Sequence, residues 1–337
     1  MSNKKTIIFS RNFPYNQGGA ENSLLEELLK SKTRISSIYF AQQANHKYVR
    51  GIEQLSSDLV GYNDFTILKR FFYYEYVLNI KNIERKIASL DFDKVVTQNR
   101  WAPAVVNAAN NLGKESVYFL RDETSLGDIN NYYSGLKRLA RDVYKAVELP
   151  GIYKFNSDNE KALNEATKVI ANSNYMAERL WEKYRVQADV IYPKVDFDCL
   201  KKNYKQAQYE NTISNDGIVL IGDTRIKGVD TFLEIAKSFP NEKFYIFGKN
   251  KNFISPLKNV THMGWSNNTA YPFSRAKVVI VPSIWNEAFG RVAVEANFLD
   301  IPVLVSNKGG LPEAVNYEAK FIVNSFDDLK NKLRKYV

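Results

Sequence analysis

Two carboxylates flank a glycine–arginine step in the stretch NEAFGRVAVEA, residues 286–296. The stretch follows the apolar run VVIVPS, so it is predicted to join the carboxyl end of a buried strand to a helix. The first backbone N–H groups of that helix, around Phe289, Gly290 and Arg291, are expected to form an anion site, which Gly290 opens to close approach. A carboxylate suits a different partner, because it accepts two hydrogen bonds and fits adjacent sugar hydroxyls.

The spacing of Glu287 and Glu295 indicates a long ligand. They lie eight positions apart, which would span roughly 12 Å if the segment were helical throughout, although Glu287 belongs to the loop before the helix. The carboxyl groups of a glycosidase pair lie about 5 to 9.5 Å apart. Hydroxyls at both ends with phosphate between them describe a nucleotide-sugar. The alternative is that Glu287 caps the helix and Glu295 is solvated, which the apolar neighbours in VAVEA disfavour.

A second motif, GIVLIGDTRIKGVDTFLEIAKSF at residues 217–239, predicts a strand, a short loop and a helix. The loop carries Arg225, Lys227 and Gly228. Lys227 would stand near a helix N-terminus at the carboxyl end of a strand, where a diphosphate finds both a salt bridge and backbone N–H groups. The motif alone also fits a surface lysine.

A third motif follows the first predicted strand, where Gly18 and Gly19 open a helix in RNFPYNQGGAENSLLEELL. A phosphate-approach loop and an ordinary turn both fit this pair, which lacks the spacing of a dinucleotide fingerprint or a P-loop.

The elements that must position these motifs are short apolar runs alternating with helical patterns, as in parallel βαβ units with helices on both faces. The polar stretch at residues 190–217 is interpreted as a linker with a boundary near Pro193, giving domains 1–193 and 194–337. Two doubly wound parallel sheets facing each other would leave a cleft, and such sheets bind ligands outside the carboxyl ends of their strands.

Composition limits the partners. The net charge is +10, from 47 Lys and Arg against 37 Asp and Glu, and favours a phosphate ligand, a nucleic acid or an anionic membrane. The single cysteine, Cys199, is expected to pack in a reducing compartment. No signal peptide or 18-residue apolar run is found, so a cytoplasmic protein is expected, with contact at most at the inner face of the membrane. The aromatic and basic stretch at residues 69–90 fits either a membrane-surface segment holding a lipid-linked acceptor or a helix with its aromatics in the core.

Taken in order, the motifs resemble glycosyltransferase family 4, retaining hexosyltransferases of the GT-B fold. The matching pieces are GGAE, IANSNYMAERL, the Lys-Gly of RIKGVD, EAFGRVAVEA and IPVLVSNKGGLPEAV. The resemblance implies two Rossmann-like domains, an N-terminal acceptor domain and a C-terminal donor domain.

The resemblance also implies site roles. Catalysis would involve Lys227, Arg225 and Glu287, with Glu287 on the donor sugar and Glu295 on the ribose. The implied donor-binding residues are Gly19, Arg225, Lys227, Gly228, Glu287, Phe289, Gly290, Arg291 and Glu295. Many relatives have a histidine where this chain has Arg121 and Asp122, and these two become the candidates for acceptor binding.

The sequence therefore predicts transfer of a sugar from a nucleotide-sugar, with a UDP-sugar slightly favoured over a GDP-sugar, to a glycan or lipid-linked acceptor in surface polysaccharide synthesis. No metal and no cofactor are expected, since no paired-cysteine, HExxH or compact aspartate motif occurs. A nucleotide-sugar epimerase or hydrolase, with Asp122 and Glu123 as acid and base, is the first alternative. A non-catalytic nucleic-acid-binding protein is the second, disfavoured because no concentrated Lys/Arg block occurs.

Overall fold

The computed structural model describes residues 4–15, 19–31, 34–42, 48–49, 51–62, 71–128, 135–210, 215–266 and 268–337. The chain divides into two compact units, Met1–Lys194 and Val195–Val337. The sequence places the boundary at Pro193, one residue before the end of the first unit.

The first unit alternates strands and helices. They are β1 (Thr6–Phe9), α1 (Gly19–Ser31), β2 (Ile35–Ala41), β3 (Asp58–Tyr62), α2 (Phe72–Ala88), β4 (Lys94–Gln98), α3 (Ala102–Asn111), β5 (Glu115–Leu120), α4 (Gly135–Glu165), β6 (Lys168–Ala171), α5 (Asn174–Tyr184) and β7 (Asp189–Val190). The described strands form a parallel sheet in the order β3-β2-β1-β4-β5-β6-β7. The order reverses at β1 and β4, so their carboxyl ends border the crevice in which such sheets bind ligands.

Both faces of this sheet are covered. Along β1, Ile7 and Phe9 pack into a cluster with α2 and α3, while Ile8 packs into a second cluster with α1. Side chains of a strand alternate between faces, so a strand buried on both sides is apolar throughout. This explains why Ile7, Ile8 and Phe9 form an unbroken apolar run rather than a polar alternation.

The second unit repeats the plan on a smaller scale. Its elements are α6 (Phe197–Glu210), β8 (Gly217–Ile221), α7 (Val229–Lys237), β9 (Lys243–Phe247), β10 (Val260–Gly264), α8 (Tyr271–Ser274), β11 (Ala276–Val281), α9 (Arg291–Phe298), β12 (Val303–Ser306), α10 (Leu311–Ala314), β13 (Ile322–Val323) and α11 (Phe326–Leu333). The strands form a parallel sheet in the order β10-β9-β8-β11-β12-β13. Here β8 and β11 are neighbours, so the two motifs that follow them lie at one edge.

The prediction of a linker without regular structure is wrong for residues 197–210, which form α6. Leu200 and Ala207 are buried and Tyr204 packs against the same core cluster of the second unit. Their spacing of four and three residues is helical, but the polar residues between them obscured the pattern. Cys199, which was expected to pack, is exposed.

The aromatic segment beginning at Phe71 forms α2, and its side chains follow the core interpretation where they are described. Tyr73 and Tyr76 are buried and pack against Phe155 in an edge-on geometry. Residues 69 and 70 lie outside the described part. Among the described residues, no helix has both the length and the apolar composition to cross a bilayer.

Candidate active site

The loop between β11 and α9 places the first carboxylate of the opening motif beside a lysine. Glu287 Oε1 accepts hydrogen bonds from Lys227 Nζ at 2.6 Å and from Ser283 Oγ at 2.7 Å. The Glu287 side chain is 10% exposed and that of Lys227 35%. The structure thus joins two predicted site residues in one ion pair, with the carboxylate buried and the ammonium partly open to solvent.

Close backbone packing holds these two loops together. The turn Arg225–Lys227 follows β8, and Ile284 N donates to Ile226 O at 3.0 Å. Gly228 has φ of +83°, and a Cβ there would lie 1.9 Å from Pro282 O. Only glycine permits both the left-handed conformation and this approach, which explains the Lys-Gly pair of the motif.

A third loop supports Glu287 from the other side. Gly310 N donates to Glu287 O at 2.7 Å, and a Cβ on Gly309 would lie 2.2 Å from that same oxygen. Sequence reasoning used GGLPEAV only as a matching piece and missed this supporting role. The adjacent glycines after a strand were the signal that could have found it.

The helix α9 begins where the sequence predicts. Gly290 precedes it with φ of +136°, a conformation that L side chains rarely adopt, and Gly290 O accepts from Ala293 N at 2.9 Å. Phe289 packs against the core of the second unit. The residues named for the anion site therefore lie together at the helix N-terminus.

The second carboxylate, Glu295, lies inside α9. Its side chain is 16% exposed, and Oε1 lies 3.4 Å from Arg291 Nη2. Burial raises the pKa of this carboxyl, and the positive charge of Arg291 only partly opposes the shift. The alternative of a solvated Glu295 is therefore wrong. Among the described residues, Arg291 is the charged group that pairs with this carboxyl.

Arg225 is placed near the same edge but is engaged elsewhere. Its Nε lies 3.6 Å from Asp230 Oδ2 at the start of α7, and its side chain is 40% exposed. This is a weak surface ion pair, and a contact of Arg225 with an anion stays a prediction.

A further polar group at this edge was missed from the sequence. Asp223, just after β8, accepts hydrogen bonds from Asn250 N at 2.6 Å and makes a contact with His262 Nε2 at 3.1 Å. His262 lies within β10. A Cβ on Gly248 would lie 2.0 Å from Asp223 Cγ, so Asp223 is fixed by close packing at the ends of β8, β9 and β10.

The predicted acceptor residues follow β5 in the first unit. Arg121 is buried, and its Nε donates to Gln98 Oε1 at 2.8 Å. Asp122 Oδ1 accepts from Ser125 N at 3.0 Å and so caps the turn Glu123–Leu126. This local role accounts for the aspartate, and acceptor binding by either residue stays a prediction.

Two arginines that sequence reasoning missed lie along the same sheet edge. Arg11 follows β1 and Arg100 follows β4, and both guanidinium groups contact the carboxylate of Glu75, which is buried; the Arg11 Nη2 to Glu75 Oε1 distance is 2.9 Å. With Arg121, they place three cations after three neighbouring strands. Their positions directly after neighbouring strands, at the point where the strand order reverses, were the signal that could have identified these arginines.

The remaining predicted donor residue of the first unit is Gly19, which is the first residue of α1. Gly18 lies outside the described residues. An approach of Gly19 to a donor diphosphate stays a prediction. In the part of the chain that the structure describes, no three His, Cys, Asp or Glu side chains are grouped as metal ligands would be.

Comparison with known proteins gives a family match for the second unit. Residues 217–337 match the family described as glycosyl transferases group 1. An uncharacterized 41.2 kDa protein in the cps region of Klebsiella pneumoniae is 27% identical over 225 residues, covering 57% of this chain and 60% of that protein. The D-inositol 3-phosphate glycosyltransferase of Mycobacterium leprae is 29% identical over 179 residues, covering 46% of this chain and 42% of that protein. The matches span about half the length of these curated relatives.

A solved structure extends the likeness to nearly the whole chain. Anabaena HepE, crystallised in complex with UDP and glucose, superposes with a TM-score of 0.69 at 16% identity, covering 98% of this chain and 89% of that chain. The fold is GT-B, with two α/β domains on parallel sheets. The family match concerns the second unit, and the structural likeness concerns the fold of both units.

The packing of Gly309 against Glu287 gives a first prediction. Gly309→Ala should lower the melting temperature and the free energy of unfolding well beyond Gly264→Ala. Both positions have positive φ, +57° and +73°, but a Cβ on Gly264 meets nothing within 4 Å. The shared conformational cost is roughly 1–2 kcal/mol, and the clash with Glu287 O adds about 1–3 kcal/mol. Denaturant unfolding measures both, and equal losses would show that this loop contact is not tight.

The raised pKa of Glu295 gives a second prediction. Below the ordinary glutamate pKa of about 4.3, the carboxyl is protonated in both states and folding is not penalised. As the pH rises from the ordinary pKa through the raised pKa of the folded state, the unfolded state is already ionised while the folded state still holds its proton. Stability is therefore lost over this range. Glu295→Gln should therefore raise the melting temperature of the ligand-free protein at pH 8 and leave it unchanged near pH 3.5. A lower melting temperature than wild type at pH 8 would contradict this account.

Proposed function

We propose that the protein is a retaining glycosyltransferase that transfers a sugar from a nucleoside diphosphate sugar to a hydroxyl of a glycan or lipid-linked acceptor. The observation that carries the proposal is the ion pair of Lys227 and Glu287 at the carboxyl edge of the second sheet. It sets a cation for the diphosphate and a carboxylate for the sugar within one hydrogen bond of each other.

Lys227 is suited to the leaving group. Its ammonium is paired with a buried carboxylate, but the lysine side chain is 35% exposed. The ammonium can therefore turn towards an arriving diphosphate. Negative charge grows on the diphosphate as the glycosidic bond breaks, and a cation positioned beforehand stabilises that charge most strongly. Arg225 and the N-terminus of α9 would add to it, and the proposal needs no metal ion.

Glu287 is suited to the transferred sugar. When Lys227 binds phosphate, the carboxylate is released to accept hydrogen bonds from sugar hydroxyls, while Ser283 keeps it oriented. In the proposed step the acceptor oxygen bonds to the anomeric carbon on the face from which the diphosphate leaves. The acceptor proton passes to the departing phosphate oxygen, so configuration is retained without an enzyme nucleophile.

Glu295 would bind the ribose of the donor. It lies just over one turn into α9, eight residues after Glu287, in a buried setting where hydrogen bonds to a carboxylate are strong. A uridine nucleotide is favoured over a guanosine nucleotide because the GT-B structure of Anabaena HepE contains UDP.

The acceptor would bind at the edge of the first sheet where three arginines follow the strands. Arg11, Arg100 and Arg121 follow β1, β4 and β5, and one buried carboxylate, Glu75, pairs with two of them. The positive charge favours an acceptor that carries a phosphate or carboxylate. A role in surface polysaccharide synthesis is supported by the relative from the cps region of Klebsiella pneumoniae.

The transfer reaction itself is the test of this function. The full chain would be incubated with UDP- and GDP-sugars, with and without phosphate-bearing acceptors, in EDTA, and nucleoside diphosphate release and product mass would be measured. Release that requires an acceptor and gives a glycosylated product is expected. Release of free sugar without acceptor would indicate a hydrolase, and an isomerised donor would indicate an epimerase. Loss of activity in EDTA that a divalent ion restores would contradict metal independence.

The two carboxylates should behave differently in this assay. Glu287→Gln should lower kcat at least tenfold with little change in KM, because it contacts the ring that distorts towards an oxocarbenium ion. Glu295→Gln should mainly raise KM, and it should weaken the binding of free UDP measured by calorimetry, because the ribose does not change during the reaction. If Glu287→Gln weakened free UDP as much as Glu295→Gln does, the assignment to opposite ends of the donor would be wrong.

A further inference from the structure

The first half of α4 presents an apolar stripe to solvent. Leu136, Leu139, Val143 and Val147 are 86%, 62%, 57% and 49% exposed. Their spacing of three, four and four residues places them on one side of the helix. Most surface helices bury such a stripe, whereas in this segment the apolar and the charged residues are both exposed.

The side of α4 that faces the protein carries other residues than this stripe. Glu148 is buried, and both its carboxylate oxygens accept from Tyr73 N at 3.3 Å, at the N-terminus of α2. Tyr144 stacks on Phe71 with ring centroids 5.3 Å apart. Burial raises the pKa of Glu148. The inward contacts of this segment are therefore made by polar and aromatic groups, and its aliphatic residues remain outside.

The same segment is basic. Lys137, Arg138 and Lys145 are exposed, and Arg141 lies over the Tyr144 ring at 4.7 Å. Asp142 is the exposed acid among them and lies 3.9 Å from Arg138. Long cationic side chains next to an apolar stripe reach back to charged headgroups while the stripe enters the lipid. Two copies paired through this stripe would bring these cations together, which disfavours a helix-to-helix dimer.

We propose that residues 136–147 of α4 dock the protein on an anionic membrane surface. The aliphatic stripe would enter the acyl boundary and the four cations would bind the headgroups. This surface is separate from the aromatic segment for which the sequence suggested a membrane role. The proposal does not depend on the transferase activity, because vesicle binding is measured without donor or acceptor.

Vesicle co-sedimentation of the full chain tests the proposal. Phosphatidylcholine vesicles are compared with vesicles that also contain phosphatidylglycerol, and the wild type should partition to the anionic ones. Leu139→Glu/Val143→Glu should lower that partitioning at least tenfold. The matched control, Tyr209→Glu/Ile254→Glu, adds the same charge at residues that are 92% and 88% exposed outside the stripe, and should change partitioning less than twofold.

A charge variant separates the electrostatic from the apolar contribution. Lys145→Gln should reduce partitioning to anionic vesicles about fivefold, as expected for one cation near such a surface, and added salt should reduce the difference from wild type. Circular dichroism and melting temperature confirm that each variant is folded. Equal partitioning of the stripe and control variants would overturn the proposal. The proposal would also be overturned if sedimentation velocity showed a dimer of the wild type but not of the stripe variant, and no form bound vesicles.

Discussion

The contact between the Lys227 ammonium and the Glu287 carboxylate is the interaction on which the site depends. The carboxylate is buried with a side chain 10% exposed, and a buried charge without a partner is strongly destabilising. Lys227 and Ser283 therefore hold Glu287 in one orientation before any ligand is present. The same pair keeps the lysine at the sheet edge, so both groups are oriented by mutual attraction rather than by the ligand.

This pairing constrains the surrounding backbone. Three loops, after β8, β11 and β12, must approach closely enough for the pair to form, and they do so through Gly228, Gly309 and Gly310, where a Cβ would lie under 3 Å from neighbouring backbone. The parallel order of the sheet makes these loops neighbours although they are far apart in sequence. The site thus depends on the order of the strands and on these glycines, and its charged groups lie at the ends of the strands.

The sequence predicted the fold class and the positions of the motifs better than the contacts between them. Alternating apolar runs were sufficient for the α/β class, and the spacing of Glu287 and Glu295, with the charge of Lys227, predicted a ligand that carries phosphate and sugar. Their direct ion pair, and the pairing of Asp223 with His262, depend on which strands are neighbours, which local pattern does not encode. The helix α6 was missed because its few buried residues are separated by polar ones. The outward stripe of α4 likewise depends on tertiary packing, since a sequence pattern shows an apolar face but not the direction in which it points.

Calorimetry of UDP binding to the wild type, Lys227→Ala, Glu287→Gln and the double variant tests the central claim most directly. A charge-assisted phosphate contact contributes about 1.5–3 kcal/mol, so Lys227→Ala should weaken UDP at least tenfold. Glu287→Gln should bind UDP as tightly as the wild type or more tightly, because the ammonium is no longer held by a carboxylate. The double variant should match Lys227→Ala, since the effect of Glu287 acts through the lysine. If folded Lys227→Ala bound UDP as tightly as the wild type, the ion pair would not be the diphosphate site and the account would be contradicted.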